Sequence, residues 1–277
     1  MKVCLIASIF ALISFKVQSQ EVYINRLWQF KDGDFYVYLN FKDGYDWIDP
    51  QDLDNGLGDF VYKGDESSRR RLTAEMAKKY FELNYFNALD LYDVANLGEL
   101  TFKGVEHYQD LISDSYVAVF ENSNFAGNEP DWSTDYYCMS SLASNYTTTK
   151  FEVERVENEE TEKKLALEFN FSNQRLMKLV TRRTGKTTLS VLSFSGINNE
   201  NNSYIIQSVD NQFESLKNLK DEYVMWDFIP TPLMVNQMPV LIMEMGVPET
   251  DHNWTQIAVF DGTKYELLTN NFIVNLK

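Results

Sequence analysis

Apolar and aromatic residues come in short runs along most of this chain, each closed by a turn residue. Within residues 21–63 the runs "LWQF", "FYVYLNF" and "YDWI" are separated by "KDGD" and "KDG". Aromatic and β-branched runs punctuated by Asp-Gly predict hairpins. The tetrad FKDG occurs twice, at 30–33 and 41–44, as a duplicated turn too short to be an architectural repeat.

The pattern changes at residue 67. "SSRRRLTAEMAKKYFELNYFNALDLYDVANLG" has serine caps, strong helix formers and Gly98 beyond its end. Leu72, Met76, Tyr80 and Leu83 recur at helical spacing, which predicts one long helix over 68–93. Arg69–Arg71 would form its solvated first turn, an odd place for cations because they oppose the helix dipole, or pair with the acidic segment just before it. A strand, "LTFKG", and a short helix, "VEHYQDLIS" (105–113), follow, and strands then fill 116–155. "ERVENEETEKK" (154–164) is charged without apolar period and marks a boundary. Beyond it "KLALEFNF", "RLMKLVTRR", "KTTLSVLSF" and "SYIIQSV" predict strands, 211–223 a short helix, and "PVLIMEMG", "TQIAVFDG" and "YELL" closing strands with a turn at Gly262. The expected fold is α+β: mostly antiparallel β with one long helix and one or two short ones. Its two regions, 20–155 and 165–277, either stand apart or share one core.

The first nineteen residues read differently. Lys2 precedes an apolar run, Val3–Phe15, too short to span a bilayer, and "VQS" offers a cleavage site before Gln20. The expectation is a signal peptide and a secreted or periplasmic protein with no membrane span after cleavage. Removing Lys2 and Lys16 from the 25 basic residues leaves 23 against 41 acidic ones, a net charge of −18. Such a chain repels nucleic acid and anionic membranes. Hydrophobic residues are 44% of the chain, which separates this acidity from the acidity of disordered segments. Cys138 alone survives cleavage, so no internal disulfide forms, and a buried free thiol is expected.

Candidate chemistry is sparse. Asp43, Asp46, Asp49, Asp52, Asp54 and Asp59 lie within seventeen residues with no Lys or Arg between them. Folded close together they would repel unless a cation bridged them, and hard oxygen ligands favour calcium. No cofactor is otherwise required. The solvated acidic loop is the plainer reading. "RRTGKTT" (182–188) lacks the first glycine of a phosphate loop and reads as a hairpin with a glycine turn. His107 and His252 are the only histidines and have no paired metal spacing, and Ser195 lacks the first glycine of a nucleophile elbow. Cys138 with His107 would make a thiol pair only if the fold brought them together. The loop "EMGVPETDHNW" gathers Glu244, Glu249, Asp251, His252 and Trp254, carboxylates beside an aromatic platform that suit glycoside chemistry. Four Asn-x-Ser/Thr sequons, at Asn145, Asn170, Asn201 and Asn253, carry sugar only in a eukaryotic secretory pathway.

Residues 116–155 contain Phe120-x4-Phe125-x-Gly127, with Ser133 six places later, and then "NYTTTKFEVE". This pattern resembles one βγ-crystallin Greek key, in which an aromatic opens the key, a hairpin folds at the glycine and the serine packs over it. Gly127 would supply the positive φ. Phe151 and Val153 would form the closing strand. The resemblance implies a calcium site at the end of the key, where Asn145 and Thr149 match the pattern. Tyr146 and Lys150 depart from it, and an ammonium there opposes the cation. The resemblance covers about forty residues, and no second key is found.

The chain as a whole reads as an exported acidic β-rich protein, a binding or structural protein before an enzyme, whose partner is a protein or glycan outside the cytoplasm. Two alternatives stand beside it. One is a glycan-directed hydrolase using Glu244, Glu249, Asp251 and His252. The other is an inhibitor of a basic secreted enzyme, to which negative charge would speed encounter.

Overall fold

The structure, a computed structural model, describes residues 20–64, 66–93, 95–111, 114–126, 131, 133–147, 154–155, 175–184, 187–195, 201–209, 212–220, 224–246, 253–263, 265–268 and 272–276. Residues 1–19, most of the 154–164 boundary and "KLALEFNF" lie outside them. In chain order β1 (Gln20–Arg26), β2 (Trp28–Gln29) and β3 (Phe35–Tyr38) precede the helix α1 (Pro50–Gly56). Next come β4 (Leu57–Lys63), β5 (Ser67–Leu72), the helix α2 (Ala74–Tyr80), β6 (Leu89–Tyr92), β7 (Asn96–Asp110), β8 (Asp114–Glu121), β9 (Tyr137–Ser140) and a short 3-10 helix at Ser141–Tyr146. The rest is strand: β10 (Glu154–Arg155), β11 (Arg175–Thr184), β12 (Thr187–Ser195), β13 (Asn201–Val209), β14 (Gln212–Lys220), β15 (Val224–Val235), β16 (Met238–Gly246), β17 (Asn253–Phe260), β18 (Tyr265–Leu268) and β19 (Ile273–Leu276).

The strands form three antiparallel sheets. The largest runs β19-β1-β9-β6-β7-β8-β3-β2, with β5 paired to β7 and β4 to β5. Within it β9-β6-β7-β8 has Greek-key order: three successive strands and a fourth that returns beside the first. The others are β10-β11-β12-β13-β14 and β15-β16-β17-β18. β11 and β12 meet at Thr184 and Thr187, a hairpin where the Gly185 turn was expected. No helix among the described residues is long and apolar enough to cross a membrane.

The mostly antiparallel β expectation holds, and the long helix does not. Ser67–Leu72 is a strand, only Ala74–Tyr80 is helical, and Leu89–Tyr92 is a strand again. Thr73 caps α2 by accepting from Met76 N, and Met76, Ala77 and Tyr80 are buried. The helix ends because Phe81 is extended and bridges Phe41. Met76, Tyr80 and Phe81 enter one core cluster with Leu72, so the apparent helical stripe combines a strand end, a two-turn helix and a bridge. Of the helix expected at 105–113, residues 105–110 are the second half of β7, which β5 and β8 hold from both sides. Of the helix expected at 211–223, residues 212–220 are β14. In both cases sheet partners override local propensity. One α-helix was missed, and the 3-10 helix at Ser141–Tyr146 lies where strands were expected. Asp49 caps α1 by accepting from Gln51 N, and Pro50 opens it, a signature readable in the sequence. A Cβ at Gly56 would overlap the Met76 thioether, so the two helices meet closely there.

Strand alternation sets the cores. Val22, Ile24, Tyr137 and Met139 point to one face of the large sheet, against Leu233, Val240, Ile242 and Ile257 of the β15–β18 sheet. The N-terminal and C-terminal regions therefore share a core, and β19 pairs directly with β1. Tyr23, Leu91 and Cys138 face the other way and meet Phe35, Val37, Ala118 and Phe120 from the far end of the sheet order, so the sheet curls around them. A shift of register between Phe102 and Gly104, with Gly104 at φ +138°, lets the fifteen-residue β7 leave β6 and take β5 as its partner.

Candidate functional site

The turn at Gly33, φ +88°, closes β2 onto β3, with Gly33 N donating to Phe30 O at 3.0 Å. Trp28 stands opposite Tyr36 and Gln29 opposite Phe35. Period-two alternation then puts Phe35 and Val37 into the core and aligns Trp28, Phe30, Tyr36 and Tyr38 on the opposite face. Phe30 stacks on Tyr36 at 4.0 Å, and Tyr36 meets Tyr38 edge to face at 5.5 Å. The outcome is an aromatic strip with two recesses along it.

The larger recess is a cleft of about 380 Å3 between the β1–β3 region and β16–β18. Trp28 and Tyr38 on one side and Trp254 on the other are among its lining residues, as are Asn25, Asn40 and Gln256. Asn25 is buried and donates to the Tyr23 hydroxyl at 3.1 Å. Arg26 sits in the wall with its guanidinium 4.5 Å from the Trp28 ring. Its Nη1 pairs with Glu244 at 2.8 Å and its Nη2 with Asp135 at 3.0 Å. Glu244 is therefore committed to a cation.

Among the expected catalytic residues only Glu244 is described; Glu249, Asp251 and His252 lie outside the described residues, while Trp254 opens β17 one residue in. The thiol pair does not assemble. Cys138 stands in register with Asn25 and Leu91, and Leu91 with Gly98. His107 lies nine residues further along β7, on the order of 30 Å of strand. It pairs with Asp114 and packs on Tyr116 at 5.1 Å. Cys138 is fully buried, and burial pushes its thiol up to about 12, which makes it inert.

The acidic run does not gather. Asp49 caps α1, and Asp52 accepts from Lys79 Nζ and the Tyr80 hydroxyl at 2.5 Å each. Those hydrogen bonds hold the Asp52 carboxyl below the usual range. Among the described residues no three His, Cys, Asp or Glu side chains stand together as a metal centre. In the key-like segment, Phe120 is core and Phe125 meets Phe35 edge to face at 5.3 Å. The Ser133 hydroxyl donates to Asp131 at 2.6 Å. Gly127, Thr149 and Lys150, and the Asn145 and Tyr146 side chains, lie outside the described residues.

Sequence reasoning missed Asn25, Arg26, Trp28, Tyr38, Asn40 and Gln256. One signal was present. In "FYVYLN" Tyr36, Tyr38 and Asn40 alternate with Phe35, Val37 and Leu39, a strand with an amphipathic outer face. The opposite wall comes from residues some 215 positions later, which no local pattern announces. Comparison with protein-family models, characterised proteins and solved structures finds no match.

Proposed function

We propose that this protein binds a glycan outside the cytoplasm and does so without chemistry. The observation that carries the reading is a cleft lined by Trp28, Tyr38 and Trp254 together with Asn25, Asn40 and Gln256. A sugar ring presents an apolar C–H face and a rim of hydroxyls. Aromatic rings cover the first at low entropy cost, and each amide offers a donor and an acceptor to the second. A volume of about 380 Å3 suits a small ligand or a short stretch of a longer one. Binding is favoured over hydrolysis because glycosidases use two carboxylates across the scissile bond. Among the described residues the cleft wall offers one, Glu244, and Arg26 holds it.

Calorimetric titration of the mature protein against a panel of plant, microbial and animal oligosaccharides tests the reading. A saturable ligand is expected, with Trp28→Ala and Trp254→Ala each weakening it at least about tenfold, the loss of one stacking or anchor contact. A panel with no binder, or a binder indifferent to both substitutions, overturns the proposal. Slow release of reducing ends from a bound oligosaccharide would turn it into the hydrolase alternative.

A further inference from the structure

The aromatic strip runs on past the cleft, across the outer face of the large sheet. Tyr38 is 44% exposed, lines the cleft and meets Tyr36 edge to face at 5.5 Å. Tyr36 stacks on Phe30, and Phe30 meets Tyr108 of β7 edge to face at 5.4 Å. Val117 and Val119 of β8 fill the sheet between β3 and β7 and pack with these rings, and Trp28 of the cleft packs against the same cluster. Phe30, Tyr36, Tyr108 and Tyr62 of β4 then wall the smaller recess, a cavity of about 120 Å3. Tyr62 is 39% exposed, on a strand that pairs only with β5 among the described strands. From β3 the strip crosses β8, β7 and β5 to reach β4, four inter-strand steps or roughly 20 Å. Its backing is fixed. Arg69 of β5 is buried, with its guanidinium 3.9 Å from the Phe30 ring and 5.8 Å from the Tyr62 ring, and it pairs with Asp32.

We infer that the ligand is an extended polysaccharide chain, which occupies the cleft with one stretch and the strip, as far as Tyr62, with the next. The two recesses are joined through touching rings, Tyr38 in one and Tyr36 in the other. The smaller has less than a third of the cleft's volume. It therefore takes an edge of a ligand already seated in the cleft, and is too small for a ligand of its own. Its make-up repeats that of the cleft. Ring faces suit sugar C–H groups, and Lys31, Asp32, Ser67 and the tyrosine hydroxyls suit sugar hydroxyls. A shallow strip laid across a sheet follows a chain and gives a single small sugar little to fill. The inference rests on the glycan reading of the cleft. It adds the length of the ligand, and it makes Tyr62 a residue that selects for that length.

The test is a calorimetric titration with cellulose, xylan and chitin oligosaccharides, each as the disaccharide and the hexasaccharide. At least one hexasaccharide is expected to bind roughly tenfold tighter than its disaccharide, the scale of one further aromatic contact. Tyr62→Ala, at an exposed position of a sheet edge, should bring that hexasaccharide down towards the disaccharide and leave the disaccharide unchanged. Trp254→Ala should weaken both lengths. Equal binding of the two lengths overturns the inference and leaves the cleft reading intact. So does a length gain that Tyr62→Ala does not touch, since extra binding registers on a longer chain would produce it. A hexasaccharide lost with Tyr62→Ala but indifferent to Trp254→Ala overturns the spanning ligand and the cleft reading together. No binding at either length overturns the inference, and the cleft reading then stands or falls on its own broader panel.

Discussion

Arg26 and Arg69 lie on the same aromatic strip and are built from the same parts. Each guanidinium stacks on an aromatic ring, Trp28 for one and Phe30 for the other, and each is near two carboxylates. They differ in what is left over. Arg26 spends one Nη on Asp135 and the other on Glu244, both partly exposed. Arg69 is buried, one of its carboxylates is fully buried, and it keeps donors without acceptors. A guanidinium with both arms paired at the edge of water is a strut. A buried one beside a cavity keeps a donor unspent. The difference is one of burial and satisfaction, and the residue type is the same.

The sharpest way to break this comparison is to remove one carboxylate from each centre. Glu106 is fully buried and pairs with Arg71 at 2.8 Å as well as approaching Arg69. Glu106→Gln leaves a buried cation short of its counter-charge and should cost about 3–5 kcal/mol in urea unfolding, the usual scale for halving a buried pair. Glu244→Gln, with Asp135 still on Arg26, should cost less than about 1 kcal/mol. Equal costs at the two sites would erase the distinction.

An alkaline titration sharpens it next, because Tyr36 of the cavity wall is buried and Tyr38 of the cleft is exposed. Burial raises the phenols of Tyr36 on the strip and of Tyr23, Tyr137 and Tyr265 in the cores well above the ordinary value of 10.0. The Cys138 thiol rises from 9.0 to about 12 for the same reason. The unfolded chain ionises these groups first, so the stability they contribute is complete below pH 9 and is lost as pH climbs through 10 and beyond. Tyrosinate absorbance from these residues should therefore appear together with cooperative unfolding. If it appears fully in the folded protein, the burial argument fails.

The smallest effect is expected where carboxylates already have an internal cation. Asp52 is paired with Lys79 and Tyr80, so adding calcium against chelator should leave the thermal midpoint unchanged within error. A clear upward shift, abolished by Asp49→Asn with Asp52→Asn, would mean that the 43–59 run closes on a cation after all.

How much of this was legible beforehand follows from the range of the forces. The hairpins at Gly33 and Gly262 and the strand runs from β11 to β13 were readable, since turn chemistry and alternation are local. The stretch 67–93 misled. Leu72, Met76 and Tyr80 are spaced like a helix face, yet Leu72 ends a strand paired with Leu57. The Arg69–Arg71 run was read as solvated because charge normally faces water. In a strand, however, alternate residues point to opposite faces, and Arg69 turns inward towards Asp32, Glu106 and Phe30.

The sequence by itself determined the acidic charge, the scarcity of cysteine, the preponderance of antiparallel strand and the amphipathic face of Tyr36, Tyr38 and Asn40. Composition and neighbouring residues are enough for each of these. Only the tertiary structure decided that Trp254 and Gln256 stand across a cleft from Trp28, that residues near both chain ends pair as β1 and β19, and that Arg69 is buried beside a cavity. A strand's side chains alternate by local geometry, but its partner is chosen by burial summed over the whole fold, and a site made between sheets exists only once that choice is made.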